Sequence, residues 1–244
     1  MNNNPISKAM LLAAGLGTRL KPFTDKHPKA LAVVNGKTLL QRNIEYLQLF
    51  EIRNVIVNVH HFANQIIDTI KVNKGWGSNI SISDETNEVL ETGGGLKKAA
   101  WYFNDTENFL LMNVDMLTNA NLNEIIDEHF QSKALATLAV TERTSSRYLL
   151  VDDNNRLCGW KNTTTGEQKL PRACNTLHTK AFSGIHVINK KIFELLQQEG
   201  KFSMIDIYLS LAAENNIQCF NYSNTKLIDV GKPENLITAE TMFQ

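Results

Sequence analysis

Runs of apolar residues alternate along this chain with amphipathic segments, a pattern typical of βαβ units around a largely parallel sheet. The apolar runs predict strands over residues 8–13, 54–59, 79–83, 108–113, 134–140, 147–151, 156–160, 181–188, 217–222 and 226–229. The amphipathic segments predict helices over residues 38–50, 62–73, 94–103, 121–131, 190–198, 203–215 and 232–242. The chain is therefore expected to form an α/β domain, with a mixed, mostly parallel sheet flanked by helices.

The pattern changes from about residue 141, where shorter strands are joined by polar turns. Residues 152–155 (Asp-Asp-Asn-Asn) and 163–166 (Thr-Thr-Thr-Gly) are two such turns. Polar turns between short strands are typical of β-hairpins. This part of the chain is expected to be a hairpin-rich insertion that could form a lid over a second substrate.

Length and composition narrow the class of protein. The 244 residues, 43% of them hydrophobic, suit one domain with a substantial core. Lysine plus arginine and aspartate plus glutamate number 25 each, so no global positive field is present to recruit nucleic acid or an anionic membrane. Any binding of phosphate must then be local.

Cysteine spacing and the N-terminal residues bear on the compartment. Cys158, Cys174 and Cys219 are odd in number and far apart, so reduced thiols are expected rather than a disulfide framework or a structural zinc site. Residues 1–5, Met-Asn-Asn-Asn-Pro, lack the basic and apolar regions of a secretion signal. No apolar run approaches the ~18 residues of a membrane span. A cytoplasmic location is the expectation.

The stretch from residue 11 to residue 31 places a glycine turn with spaced cations directly after the first predicted strand. Gly15 and Gly17 let the backbone approach an anion, and successive N–H groups there can form a concave donor site. Arg19 and Lys29 can supply positive charge. Open α/β sheets bind ligands at the carboxyl ends of their strands, where this loop lies. The loop is therefore predicted to bind phosphate.

Two widespread phosphate-binding motifs do not fit this sequence. The dinucleotide fingerprint needs a third glycine at the position of Leu20. Gly36-Lys37-Thr38 is similar to the end of a P-loop, but the glycine required five residues earlier is Leu31. Neither motif is predicted here.

Two aspartates follow predicted strands that lead to the same edge of the sheet. Asp115 follows the apolar run 109–114, and Asp229 ends the short strand at 226–229. Carboxylates at strand ends are suitable oxygen ligands for Mg²⁺. Aspartate also frequently caps the helix that follows it. Spacing alone leaves the metal-ligand and helix-cap interpretations equally open.

From Leu12 to Leu31 the pattern Leu-x-Ala-Gly-x-Gly-Thr-Arg-Leu-x-Pro-x-Thr-x-x-x-Pro-Lys-x-Leu resembles the signature of the sugar-1-phosphate nucleotidyltransferases. Further segments that resemble this family are residues 90–95 (Leu-Glu-Thr-Gly-Gly-Gly), 113–115, 182–185 (Phe-Ser-Gly-Ile) and 228–234. The form of residues 90–95 is most similar to the branch of N-acetylmuramate-1-phosphate uridylyltransferases and mannose- and heptose-1-phosphate guanylyltransferases. Val114, Leu227 and Lys232 depart from the family pattern and bear on substrate choice.

This resemblance implies the nucleotide-diphospho-sugar transferase fold, a Rossmann-like sheet with a sugar-binding insertion. It implies a single nucleotidyltransferase domain over residues 1–244. Its parts are a nucleotide-binding core (1–133), sugar-side strands and lid (134–188) and C-terminal helices with the second metal aspartate (189–244).

The resemblance also implies roles for individual residues. Arg19, Lys29 and Asp115 are implied to be catalytic, and Asp115 and Asp229 to hold Mg²⁺. The implied substrate-binding residues are Ala13, Ala14, Gly15, Gly17, Thr18, Glu91, Thr92, Gly93, Lys161, Ser183 and Gly184. Asn58 is a further candidate because it lies at the end of the second predicted strand, near the cleft, where its amide could contact the base or the sugar. The alternative for Lys161 is a solvated lysine at the end of a strand.

The implied reaction transfers a nucleotidyl group from an NTP to a sugar 1-phosphate and releases pyrophosphate, with UTP and N-acetylmuramate 1-phosphate as the preferred pair. Alternatives are a mannose- or heptose-1-phosphate guanylyltransferase, a phosphocholine cytidylyltransferase, and a regulatory subunit that senses nucleotide-sugars. The joint presence of Arg19, Lys29, Asp115 and Asp229 favours an enzyme. The expected partners are the NTP and the sugar 1-phosphate, without nucleic acid or membrane, in a monomer or homo-oligomer.

Overall fold

The computed structural model describes residues 5–244, so most of the N-terminal stretch used for the leader prediction lies outside the described residues. The strands are β1 (Lys8–Leu12), β2 (Val33–Val34), β3 (Lys37–Thr38), β4 (Asn54–Val59), β5 (Asn79–Asp84), β6 (Asn108–Asn113), β7 (Met116–Thr118), β8 (Ala136–Thr141), β9 (Arg147–Val151), β10 (Leu157–Asn162), β11 (Gln168–Lys169), β12 (His178–Asn189), β13 (Ile217–Asn221) and β14 (Leu227–Asp229). The helices are α1 (Leu39–Gln48), α2 (Ala63–Val72), α3 (Glu91–Lys98), α4 (Leu122–Ser132), α5 (Ile192–Leu195), α6 (Met204–Leu211) and α7 (Pro233–Met242). Within residues 5–244, no helix combines the length and apolar character needed to cross a bilayer.

Ten of the strands form one sheet, in which strands from the first and second halves of the chain pair differently. The order is β11-β10-β9-β12-β6-β1-β4-β5, with β8 paired to β12 and β13 paired to β8. Strands β6, β1, β4 and β5 run parallel, whereas β12 pairs antiparallel with β6, β8 and β9. The predicted mixed α/β sheet flanked by helices is confirmed.

The central strands send alternate side chains into two cores. Ala9 and Leu11 of β1 pack on one face of the sheet, in a core shared with α1, α2 and α4. Met10, between them, packs on the other face with α3 and α6. Because both faces are covered, the central strands are apolar nearly throughout, which made their runs recognisable in the sequence.

A third apolar cluster joins the first loop to the C-terminal segment. It contains Leu20 of the loop, Leu117 of β7 and Ile228 of β14, and it packs against α7. Strands β7 and β14 pair antiparallel. In the residue next to β14, the Val230 N–H donates to the carbonyl of Asp115 (2.8 Å). Burial of this cluster brings segments that are distant in sequence to one end of the sheet.

Strands β9, β10 and β11 form the predicted hairpin-rich insertion. Strand β9 pairs antiparallel with β10, which pairs antiparallel with β11. The β9–β10 register shifts between Leu157 and Gly159, so Cys158 is an extra, bulged residue. A bulge exchanges the faces to which the following side chains point.

The expectation of reduced thiols is wrong for two of the three cysteines. Cys158 and Cys174 form a disulfide, with their Cα atoms 6.5 Å apart. The segment after β11 folds back along β10, where the Arg172 N–H donates to the Cys158 carbonyl (3.2 Å). This approach depends on strand pairing, so spacing in the sequence does not reveal it. Cys219 is free and buried.

Element ends differ from the predictions where tertiary contacts decide them. Helix α3 begins at Glu91, three residues before the predicted start at residue 94. Its first turn packs against a distant segment: the Gly93 N–H donates to the Phe202 carbonyl (2.9 Å), and a Cβ on Gly93 would lie 2.4 Å from the Phe202 ring. Helix α3 ends at Lys98 and is followed by a 3₁₀ turn over Ala100–Phe103. Helices α5 and α6 are shorter than predicted. Strands β2, β3, β7 and β11 were missed because two or three residues carry no periodic signal.

Candidate active site

A cleft of about 750 Å³ lies at the carboxyl ends of β1, β4 and β6. Residues at or near those ends, Leu12, Asn58 and Asn113, form part of its lining. The predicted site residues that line it are Ala13, Ala14, Gly15, Gly17, Thr18, Arg19, Lys29, Asn58, Glu91, Thr92 and Asp115. Most of the residues that sequence motifs single out therefore meet at one concave surface.

The first loop is a compact turn built around Gly17. This residue has φ +62°, and a Cβ there would lie 2.9 Å from Thr24 Cγ2 and 3.0 Å from Lys29 Cβ, so glycine is required. The Gly17 carbonyl accepts hydrogen bonds from Thr24 Oγ1 (3.0 Å) and the Leu20 N–H (2.8 Å). The N–H groups of residues 15–17 donate to no other described residue. The turn thus presents free donors to the cleft.

Four charged side chains meet beside this turn. The Lys29 ammonium forms an ion pair with Asp115 and lies 3.8 Å from Oδ1 of Asp229. Nη2 of Arg19 lies 3.7 Å from Oδ2 of Asp229. Two cations and two carboxylates are therefore in contact at the edge of the cleft.

Neither aspartate caps a helix. Asp115 lies between β6 and β7, and the next helix, α4, is capped by Asn121, whose side chain accepts from the Asn123 N–H. Helix α7 has Lys232 at its N-cap and no side-chain cap. The helix-cap interpretation is wrong for both positions.

The surroundings of Asp229 fit a bound cation. Its Oδ1 is buried, and no group within the described part of the chain donates a hydrogen bond to it. Burial raises the pKa of Asp229 and the Asp115 carboxylate raises it further, while Lys29 and Arg19 act in the opposite direction. A Cβ on Gly231 would lie 2.6 Å from this Oδ1, so only glycine leaves room beside the oxygen. A buried carboxylate oxygen without a donor, beside a second carboxylate, suits the oxygen ligation of Mg²⁺.

Glu85, which sequence analysis missed, lies behind the first loop. It is 1% exposed, and its Oε1 accepts from Nδ2 of Asn58 (2.8 Å). Oδ1 of Asn58 in turn accepts from the N–H groups of Ala13 (2.7 Å) and Ala14 (3.3 Å). Burial raises the pKa of the Glu85 carboxyl. The polar atoms of Asn58 and the N–H groups of both alanines are thus engaged within the protein, where they fix the start of the loop. The available signal was an acidic residue directly after strand β5, whose sequence alternates isoleucine with serine.

The insertion supplies the opposite wall of the cleft. Trp160 pairs with Leu149 of β9, and Asn162 pairs with Arg147. Because alternate residues of a strand share a face, Arg147 and Trp160 lie on the same face. Both line the cleft, together with Glu167, Lys169, Lys201 and Asp206. None of these wall residues belongs to a recognisable motif, so sequence analysis did not find them.

A model of the Nucleotidyl transferase family matches residues 8–244. The chain belongs to the nucleotidyl transferase family. It is 30% identical to the N-acetylmuramate alpha-1-phosphate uridylyltransferase of Caulobacter vibrioides, over 95% of each chain. It is 28% identical to the D-glycero-alpha-D-manno-heptose 1-phosphate guanylyltransferase of Aneurinibacillus thermoaerophilus, over 97% of this chain and 98% of that one.

The fold of this nucleotidyl transferase is also that of solved relatives. HddC from Yersinia pseudotuberculosis, complexed with GMP-PN, matches with a TM-score of 0.80 at 25% identity, over 98% of this chain and 100% of the HddC chain. The predicted family and the nucleotide-diphospho-sugar transferase fold are confirmed. Sugar-1-phosphate nucleotidyl transfer is supported as the class of activity.

Four predicted substrate-binding residues of this nucleotidyl transferase lie outside the cleft lining: Gly93, Lys161, Ser183 and Gly184. Lys161 lies on the face opposite Trp160, with its ammonium 5.9 Å from the Tyr148 ring centre. Its predicted contact with a sugar phosphate has no support in this geometry, because the bulge at Cys158 sets the face of every later residue of β10.

The Phe-Ser-Gly-Ile segment is held by contacts within the protein. Ser183 is fully buried, and its hydroxyl donates to the Ala139 carbonyl (2.7 Å). A Cβ on Gly184 would lie 2.9 Å from Nδ2 of Asn113. The close neighbour that requires glycine at this position is therefore a side chain of the protein itself. Contact of Ser183 and Gly184 with a substrate stays a prediction.

Proposed function

We propose that this nucleotidyl transferase moves the uridylyl group of UTP to N-acetylmuramate 1-phosphate, forming a UDP-sugar and pyrophosphate. The observation that carries the proposal is the convergence of Arg19, Lys29, Asp115 and Asp229 beside the glycine turn. It combines phosphate-binding cations with a carboxylate pair that suits a metal ion. The substrate pair is supported by the Caulobacter vibrioides uridylyltransferase, because the similarity covers 95% of both chains.

The residues divide the work between the nucleotide and a metal ion. The free N–H groups of residues 15–17, with Arg19 and Lys29, bind the triphosphate. Asp115 and Asp229 would hold Mg²⁺, since Oδ1 of Asp229 is buried without a donor. When bound, Mg²⁺ would supply positive charge that stabilises the negative charge developing on the reacting phosphate oxygens.

The chemical step is an exchange of one phosphorus–oxygen bond for another. An anionic oxygen of the sugar 1-phosphate bonds to the α-phosphorus of UTP, while the bond from that phosphorus to the pyrophosphate oxygen breaks. The phosphate monoester is already a nucleophile, so the step needs no side-chain base. The protein contributes by aligning two anions that repel each other, which is the task of the cations around the glycine turn.

We assign the three parts of the domain to the two substrates. Residues 1–133 bind the nucleotide, and residues 134–188 bind the sugar, since they include the wall formed by Arg147 and Trp160. Residues 189–244 contribute Asp229 through β14.

Guanylyl transfer to heptose or mannose 1-phosphate is the second candidate. It is favoured by the similarity to HddC, whose structure was solved with GMP-PN, and by the heptose 1-phosphate guanylyltransferase relative. The two candidates share the mechanism and differ in the base and the sugar.

Pyrophosphate release distinguishes these functions when UTP, GTP, CTP and dTTP are each combined with N-acetylmuramate, mannose and heptose 1-phosphates and with phosphocholine. UTP with N-acetylmuramate 1-phosphate is expected to give the highest kcat/KM, and chelation of divalent ions is expected to abolish it. A higher value for GTP with heptose or mannose 1-phosphate would replace the uridylyl assignment. Absence of turnover with every pair, together with binding of a nucleotide-sugar, would identify a regulatory subunit.

A further inference from the structure

We infer that Arg147 forms a subsite for a carboxylate on the acceptor sugar, so that the enzyme selects sugar 1-phosphates that carry a second acidic group. This inference rests on the proposed transfer to a sugar 1-phosphate. N-acetylmuramate has such a group in its lactyl ether, whereas mannose, heptose and N-acetylglucosamine do not.

Arg147 is anchored in the sugar-side wall of the cleft. It begins β9, and its N–H donates to Ser145 Oγ (3.2 Å), which donates in turn to the Arg147 carbonyl (3.0 Å). The neighbouring Ser146 carbonyl accepts from the Thr163 N–H (2.8 Å), which ties the start of β9 to the end of β10. The guanidinium therefore extends from a backbone position that is fixed before a ligand binds.

The other cations of this wall already have acidic partners. Lys169 lies 3.0 Å from Asp206 and 3.8 Å from Glu167. Lys201 lies 3.5 Å from Glu91. Over residues 5–244, no carboxylate lies within 4.0 Å of the Arg147 guanidinium. Arg147 is thus the wall cation whose charge is available to a ligand.

The position of Arg147 suits the far end of an acceptor sugar. Strand β9 is separated from β1, which leads into the phosphate-binding turn, by β12 and β6. Three spacings between neighbouring strands amount to about 14 Å, enough for a sugar ring between the turn and Arg147. Trp160, on the same face as Arg147, offers an apolar surface for that ring. A guanidinium at this distance can pair with a carboxylate through two parallel hydrogen bonds.

The test compares N-acetylmuramate 1-phosphate with N-acetylglucosamine 1-phosphate, which lacks only the lactyl ether. In Arg147→Gln, kcat/KM for the acidic acceptor should fall about 10- to 100-fold, as expected for loss of a hydrogen-bonded charge pair. The value for the neutral acceptor should fall much less, so that the ratio of the two kcat/KM values decreases, and Arg147→Lys should restore part of that ratio. The control is Arg53→Gln, an exposed arginine directly before β4, at the end of that strand opposite the cleft.

Equal losses on both acceptors, or no loss on either, would overturn the subsite. Calorimetry measures the dissociation constants of both acceptors for the wild type and for Arg147→Gln. These constants distinguish failure of the carboxylate subsite from failure of the proposed function. If the wild type binds N-acetylmuramate 1-phosphate more tightly and the variant does not, the subsite stands even when UTP is not used. If the wild type binds both acceptors equally, the subsite is refuted whichever nucleotide reacts.

Discussion

Asn58 and Glu85 are hydrogen-bond partners, and substituting them singly and together tests whether they hold the first loop in place. The Asn58 amide donates to Oε1 of Glu85 (2.8 Å) and accepts from the N–H groups of Ala13 and Ala14. In Asn58→Asp, the new carboxylate still accepts from both N–H groups, but the donor to Glu85 is lost. Two carboxylates then lie within hydrogen-bond distance in a buried site.

The size of the effect follows from this geometry. Two unit charges about 3 Å apart repel by roughly 6 kcal/mol at an effective dielectric constant near 20. Protonating one carboxyl relieves the repulsion and restores a donor, at a cost of about 1.4 kcal/mol for each pH unit above its reference pKa of about 4. We therefore expect Asn58→Asp to lower the free energy of unfolding by about 5 kcal/mol at pH 8 and by about 3 kcal/mol at pH 6.

The sign of this pH dependence follows from proton counts. Between pH 5 and 8 the folded variant retains a proton that the unfolded chain has released, so its stability decreases as pH rises. The double variant Asn58→Asp/Glu85→Gln reverses the polarity of the bond, because the glutamine amide donates to the new carboxylate. It should return to within about 1 kcal/mol of the wild type, as should Glu85→Gln alone.

Urea unfolding at pH 6 and pH 8, followed by circular dichroism, measures all four proteins. Asn54→Asp, at the opposite end of β4, controls for adding a carboxylate to this strand. The KM for UTP should rise in Asn58→Asp and recover in the double variant, because the loop that binds the nucleotide is displaced and then restored. If the loss in the double variant equals the sum of the single losses, Asn58 and Glu85 do not act through each other and the reasoning fails.

Four further predictions concern the charged site, the thiols and buried histidines. Lys29→Met should reduce kcat/KM about 100-fold or more, because a charge at the reacting phosphates is lost; turnover near the wild-type value would exclude this role. Asp229→Asn should melt near the wild-type temperature yet lose Mg²⁺-dependent turnover, since an amide keeps the shape without the charge; full activity with a lowered melting temperature would contradict the metal assignment. Thiol titration in denaturant should detect one group, Cys219, without reductant and three groups after reduction. Reduction of the disulfide should also lower the free energy of unfolding by about 3 kcal/mol, because the unfolded chain gains loop-closure entropy. Three thiols before reduction would refute the disulfide. Burial lowers the pKa of His129 to about 4 and that of His186 to about 3. Below about pH 6.5 the unfolded chain therefore binds protons that the folded protein does not. The free energy of unfolding should fall by about 1 kcal/mol per pH unit for each histidine as the pH decreases. Urea titrations between pH 6.5 and 5 should show a smaller slope of this free energy against pH in His129→Gln, and an unchanged slope would contradict the prediction.

The sequence by itself determined the framework and one wall of the site. Apolar runs identified the central strands because burial on both faces makes a strand apolar throughout. The glycine turn with Arg19 and Lys29 was recognisable because close approach to an anion needs residue types at fixed local spacing. Asp115 and Asp229 could be named as candidates, but their spacing left the helix-cap interpretation equally open.

Only the tertiary structure decided what depends on strand register and on contacts between distant segments. Pairing of β7 with β14 brings Asp115 and Asp229 together. Cys158 is a single bulged residue, and it sets the face of the sheet to which each later side chain of β10 points. As a result Trp160, and not Lys161, points to the face that lines the cleft. Glu85 carried no motif because its role lies in hydrogen bonds to Asn58 and, through it, to the first loop. Local pattern encodes periodicity and turn chemistry, whereas register and packing are settled by the whole folded chain.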